Sequence, residues 1–167
     1  YLNRGYVDSS TLSTPWGYHL ESEILLINEL REPTLSERHA LANSLKPVIA
    51  APPEVLVINR KGLHPTKALN RTFVLAFSNS RTPISLSSQD RRWFVVWSEA
   101  ARMGVNDAKR MWHWYVNGGF EAIARWLKAR DVSQFNPSAP PADTDYKLTM
   151  IDGGMSAAQA YLVDIIK

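Results

Sequence analysis

The sequence predicts an α/β domain with flanking helices, and three short apolar runs predict it. Phe73–Phe77 is too short for a helix, rich in aromatic and aliphatic residues, and closed by Ser78-Asn79, the pattern of a buried strand with a polar tip. Ile24–Ile27 ends in the same way on Asn28-Glu29, and Trp93–Trp97 is entered directly from Asp90-Arg91-Arg92, so a further strand is expected there. Polar tips on buried strands are where α/β sheets place their chemistry. Thr72–Trp97 is therefore the stretch around which the chain is organised. The competing reading is a core sheet with ordinary solvated ends.

Taken in order, Tyr1–Tyr18 carries Gly5, Pro15, Gly17 and many hydroxyl residues without a clear period, which predicts an irregular lead-in. Glu21–Leu30 gives the first strand, stopped by Pro33. Thr34-x-x-Glu37 has the form of a capping box, in which the two side chains satisfy free backbone N–H groups at a helix start. The helix is expected from Leu35 to Lys46 and to end before Pro47. Glu54–Asn59 and Thr66–Arg71 flank a basic turn containing Arg60, Lys61, Gly62, His64 and Pro65, which predicts a β-hairpin whose glycine supplies the turn's backbone freedom.

Beyond Trp97, Ser98–Val116 and Gly119–Arg130 read as two helices separated by Asn117-Gly118-Gly119. Trp112, Trp114, Tyr115, Phe120, Ile123, Trp126 and Leu127 recur at helical spacing and are expected in a core. The proline-bearing Asn136–Tyr146 predicts a loop, Asp152-Gly153-Gly154 a break, and Ser156–Lys167 a last amphipathic helix.

At 167 residues the chain fits one domain with a sizeable core, and 45% hydrophobic with 21% charged residues excludes a disordered or fibrous protein. The absence of cysteine excludes a disulfide framework and a thiolate site. No run reaches the about 20 apolar residues of a membrane span and no signal pattern opens the chain, so a soluble, intracellular protein without membrane contact is expected. Formal net charge is +3, yet between Glu54 and Arg92 seven positive side chains face only Glu54 and Asp90. That local surplus attracts nucleic acid or nucleotide phosphates. The opening on Tyr1 suggests a piece of something longer.

Glu29 at a strand end has the setting of a carboxylate that polarises water beside a phosphoryl group, and Asn79 offers both a donor and an acceptor to that water or phosphate. Arg91 or Arg92 brings a planar, always-charged fork suited to phosphoryl oxygens. In this order, with the basic hairpin between, the sequence resembles the superfamily 3 helicases, particularly the helicase part of phage and plasmid primase-helicase proteins. INEL (27–30) resembles their Walker B motif, VLVINRKGLHPTKALNRTFVLAFSNS (55–80) their B′ hairpin and motif C, and DRRWFVV (90–96) their arginine-finger segment. GFEAIARWLKARDVSQFNPSAPP (119–141) looks like the segment that follows their ATPase core.

The resemblance implies a partial P-loop, AAA+-like ATPase sheet over residues 1–98 with a helical C-terminal region over 99–167. It further implies a cytoplasmic, phage- or prophage-encoded DNA helicase that forms a hexameric ring, binds ATP and Mg between subunits and grips single-stranded or forked DNA. Glu29, with Asn28 beside it, would be the Walker B acid holding Mg through water. Asn79 would be the sensor, and Arg91 or Arg92 the finger acting on a neighbour's nucleotide. Lys61 and His64 would touch DNA phosphate, joined by Arg60 and Lys67. The family's Gly-Lys-Ser/Thr phosphate loop is absent from this sequence, and Thr11–Gly17 does not supply one. Asn28 also stands where many relatives carry an acid. The isolated chain is therefore expected to be inactive toward ATP. The alternatives are a non-enzymatic nucleic-acid-binding module and an inactive prophage remnant.

Overall fold

The computed structural model describes residues 4–8, 10–30, 34–49, 54–155 and 165. The chain divides into two compact units, one made of Tyr1–Trp97 with Pro141–Lys167 and the other of Ser98–Pro140. The stretch from 141 thus belongs with the sheet rather than with the helices that precede it in sequence.

The first unit holds a three-stranded parallel sheet in the order β1 (Arg4–Asp8), β2 (Ile24–Asn28), β5 (Phe73–Ala76). β1 corrects the expectation of an irregular lead-in. Its sequence, RGYVD, carries little strand signal, and it becomes a strand because β2 offers it a ladder from Arg4↔Ile24 to Asp8↔Asn28. Gly5 allows that approach, since a Cβ there would lie 2.4 Å from Ser22 Oγ. Successive residues point to opposite faces. Val7, Leu25 and Ile27, with Val74 and Ala76, therefore share one face, packed against Leu45, Ile84, Leu86 and Ile151. Tyr6, Phe73 and Leu75 belong to the opposite face and are exposed.

Helix α1 (Leu35–Ile49) starts at the expected capping box: Glu37 Oε2 accepts from Thr34 N and Thr34 Oγ1, both at 2.7 Å. It does not stop before Pro47. Pro47 lies in the last turn, and its missing N–H costs the helix one i→i−4 hydrogen bond. The Asn70 amide donates to the carbonyls of Pro47 and Val48, while Val48 is buried. The hairpin forms as expected from β3 (Val55–Ile58) and β4 (Thr66–Leu69), paired antiparallel, with Gly62 at φ 75.

Trp93–Trp97 belongs to neither sheet, against expectation. It keeps a strand's alternation, with Trp93 and Val95 against the core and Phe94 and Val96 exposed, but finds no ladder partner among the described residues. Asn136–Tyr146 is not loop to its end. Helix α4 (Asp145–Asp152) begins inside it, with Thr144 Oγ1 capping the N–H of Lys147 at 3.1 Å and donating to Val95 O at 2.6 Å.

In the second unit, α2 (Val105–Trp114) and α3 (Phe120–Ala129) are joined by a π-type turn, Tyr115–Gly119, kinked at Asn117 and at Gly118, where φ is 104. Ser98–Gly104 is not helical, so the first helix starts later than expected. The expected aromatic core is absent: Trp112, Trp114, Phe120, Ile123, Trp126 and Leu127 are all exposed. Tyr115 and Phe120 stack at 5.1 Å and Trp112 meets Phe120 edge-on at 6.4 Å, so around the kink the rings pack on one another. The helical periodicity was real, but no layer within this unit covers the apolar stripes. The expected helix Ser156–Lys167 lies outside the described residues, apart from Ile165.

Candidate functional site

Parallel strands deliver their carboxyl ends to one edge, and here β1, β2 and β5 bring Asp8, Asn28-Glu29 and Ser78-Asn79 to it. The edge is tied together by backbone: Leu30 N donates to Phe77 O at 2.9 Å, and Ser78 Oγ donates to Leu30 O at 2.6 Å. Glu29 and Asn79 stand on either side of that tie, both exposed. Glu29 has φ 51, the only non-glycine residue at positive φ among those described. A left-handed conformation costs a glutamate roughly 1–3 kcal/mol, and such strain collects at functional sites. It arises because the chain must turn out of β2 after Asn28 while Leu30 is held against Phe77.

Asn28 faces β1, its Nδ2 donating to Tyr6 Oη at 2.6 Å. Asp8, missed by sequence reasoning because β1 was missed, accepts from Ser10 Oγ at 2.5 Å and Thr11 N at 3.0 Å. The Ser10 hydroxyl and then the Thr11 amide hold its carboxyl below the usual carboxylate range. No cluster of three or more His, Cys, Asp or Glu side chains able to hold a metal occurs among the described residues. The edge therefore fits only part of a magnesium–nucleotide site: one free carboxylate and one amide, with no phosphate cradle in the sequence.

The Asp90-Arg91-Arg92 turn is held from the inside. Asp90 Oδ1 accepts the N–H groups of Arg92 and Trp93 at 3.1 and 3.0 Å. Lys147, whose side chain is 1% exposed, donates to Asp90 O at 2.8 Å, lies 3.6 Å from Asp90 Oδ1 and pairs with Asp143 Oδ1 at 2.9 Å. Both guanidinium groups project from this braced turn and are exposed. The only sequence signal for Lys147 was the capping threonine ahead of it. Nothing marked the lysine as buried.

On the hairpin, Lys61, His64 and Lys67 are exposed, whereas Arg60 is engaged by Glu21 in an ion pair. Lys67 lies opposite Val57, and Val55 opposite Leu69. The exposed face thus mixes cations with apolar side chains, the other face being anchored by buried Leu56 and Ile58. These residues and the carboxyl edge occupy separate elements of the first unit. No described helix is long and apolar enough to cross a membrane.

The class these elements define is an α/β domain with a parallel sheet, a helix following its central strand, and a hairpin inserted before the third. No protein-family profile and no curated protein matches the chain. Among solved structures it is similar to the apo structure of the NrS-1 C-terminal region, with a TM-score of 0.72 and 21% identity over 93% of this chain and 37% of that one. The A form apo structure of the same region matches with a TM-score of 0.66 at 21% identity, over 92% and 36% of the two chains. The chain shares that fold and spans just over a third of the length of the proteins it matches.

Proposed function

We propose that this chain is part of the ATPase core of a phage-type replicative DNA helicase of superfamily 3, coupling ATP hydrolysis to movement on single-stranded or forked DNA within a hexameric ring. The observation that carries the reading is Glu29: an exposed carboxylate on a strained backbone, at the carboxyl end of the central strand and beside the strand that leads to Asn79. In the proposed reaction Glu29 orients and deprotonates the attacking water. Asn79 hydrogen-bonds water or phosphate, and an arginine of the 91–92 pair meets charge developing on the neighbour's nucleotide. Magnesium, when bound near Glu29 through water, would neutralise phosphate charge.

The unfinished sheet supports the same reading. Parallel sheets are normally covered on both faces, yet Phe73, Leu75 and Phe77 stand exposed along β5, an edge strand among the described residues. In the full-length protein a phosphate-loop strand and its helix would fill that edge and face. The test is DNA-stimulated ATPase of the full-length protein and its Glu29→Gln variant. Loss of turnover with nucleotide binding retained is expected; unchanged turnover refutes the role.

A second reading, a binding module without hydrolysis, is favoured by the hairpin, where Lys61, His64 and Lys67 stand exposed beside Leu63 and Val57. Titration of this chain with single-stranded DNA across salt concentrations tests it. Lys61→Gln and Lys67→Gln should each lower the salt slope by about one phosphate contact. DNA binding by the full-length protein without any ATP turnover would decide for this reading.

A further inference from the structure

The first unit contains a cavity of about 490 Å³ between one side of α1, the Ser85–Trp93 segment and the end of α4. Its volume falls in the about 300–1,000 Å³ range of small-molecule sites. It draws none of its lining from the carboxyl-edge residues Asp8, Asn28, Glu29 or Asn79. The floor is apolar core, with buried Ala42, Leu86 and Ile151, and half-buried Trp93 contributes an aromatic wall. Around it stand Lys46, Arg92 and His39 together with the hydroxyl residues Ser85, Ser87 and Ser88.

The charge of this lining is unbalanced. Among the described residues its only carboxylate, Asp90, is already engaged by Lys147 and by two backbone N–H groups. Lys46 has a neutral partner, donating to Asn43 Oδ1 at 2.8 Å, and Arg92 makes no side-chain bond among the described residues. The three serine hydroxyls likewise make no side-chain hydrogen bond there. Two unpaired cations and three free hydroxyls over an apolar, aromatic-walled floor suit a ligand with an anionic head and a flat apolar body. Arginine and lysine bind phosphate as a fork and as a point charge respectively, and tryptophan is the ring on which a base stacks.

We propose that this cavity binds a nucleoside phosphate, with the base against Trp93 and the phosphate between Lys46 and Arg92. The same chemistry is offered by a free nucleotide and by the 5′-phosphorylated end of a strand. The site uses neither Glu29 nor Asn79, and with Arg92 committed here the finger of the proposed ATPase falls to Arg91: a chain that binds here and belongs to no ATPase would sink the proposed function and leave this site standing.

The test is calorimetric titration of this chain at low salt with AMP, with inorganic phosphate, and with a short oligothymidylate carrying either a 5′-phosphate or a 5′-hydroxyl. Saturable binding with Kd below about 1 mM is expected for AMP or for the phosphorylated oligonucleotide, and which of the two binds names the source. Lys46→Gln and Arg92→Gln should each weaken it about tenfold, while Arg110→Gln on α2 leaves it unchanged. The indole N–H resonance of Trp93, identified by its loss in Trp93→Phe, should shift on binding. Absence of binding by both ligands overturns the proposal, as does binding indifferent to Lys46 and Arg92. Inorganic phosphate binding as tightly as AMP overturns the stacked-base assignment.

Discussion

Replacing Lys147 by methionine keeps the volume of the side chain and removes only its charge and donors. In the folded chain that ammonium is 1% exposed and bonds to Asp90 O, with the Asp90 carboxylate 3.6 Å away and itself only 10% exposed. Removing one member of a buried pair typically costs about 3–5 kcal/mol, because the partner's charge stays buried without compensation. Two features pull the value to the lower end here. Asp90 keeps its bonds from the N–H groups of Arg92 and Trp93, and Asp143, the other carboxylate on Lys147, is 65% exposed and loses almost nothing in water. The expected loss is about 3 kcal/mol. Urea unfolding followed by tryptophan fluorescence measures it, with Asp90→Asn and the double variant completing a cycle whose coupling should reach about 1–3 kcal/mol. A loss below about 1 kcal/mol for Lys147→Met, with additive single variants, would refute the idea that this lysine braces the arginine-bearing turn.

Other perturbations are equally specific. Glu29→Gly relieves the positive φ at that position and should raise stability by about 0.5–1 kcal/mol, net of the entropy glycine adds to the unfolded chain; Glu29→Gln should leave stability within about 0.5 kcal/mol, since it keeps the strain. Thr34→Ala breaks the capping box and should cost about 1 kcal/mol by the same urea assay. His19 is buried, its Nδ1 has no hydrogen-bond partner among the described residues, and burial holds its pKa below the ordinary 6.5. Its neutral form is therefore favoured by folding: the stability it permits is intact above pH 6.5 and falls as pH drops below that value, where the unfolded chain takes up the proton. Asp8 and Glu37 are held below the usual carboxylate range by hydroxyl and amide donors and titrate lower, so His19→Phe should flatten the mildly acidic part of the stability profile.

Wherever the deciding signal was local, the sequence was legible. The apolar runs at Ile24–Ile27 and Phe73–Ala76 are strands because several β-prone residues stand between breakers, and the helix start at Thr34 is legible because its capping partner is Glu37, three residues on. Gly62 announced the hairpin through its own backbone. The candidate groups Glu29, Asn79, Arg91 and Arg92 were found by their positions at the ends of these runs, and the sheet brings the first two to one edge.

Tertiary structure decided everything that depends on a distant partner. Arg4–Asp8 became a strand because β2 lay open to it, and Trp93–Trp97, the richer strand sequence, did not, for want of a ladder among the described residues. Pro47 stayed helical because Asn70 reaches back to cap the carbonyls beside it. The aromatic stripes of α2 and α3 are amphipathic in any setting, yet whether they are core depends on a covering layer their own unit does not contain. Lys147 is the clearest case. A lysine's burial is set by the groups that compensate its charge, and the one beneath the arginine turn lies 57 residues away. By itself, then, the sequence determined the strands at Ile24–Ile27 and Phe73–Ala76, the helix start at Thr34, the hairpin, and the polar groups that follow these segments. The fold alone determined which of those groups are braced, strained or gathered around a cavity, because these are properties of pairs and not of residues.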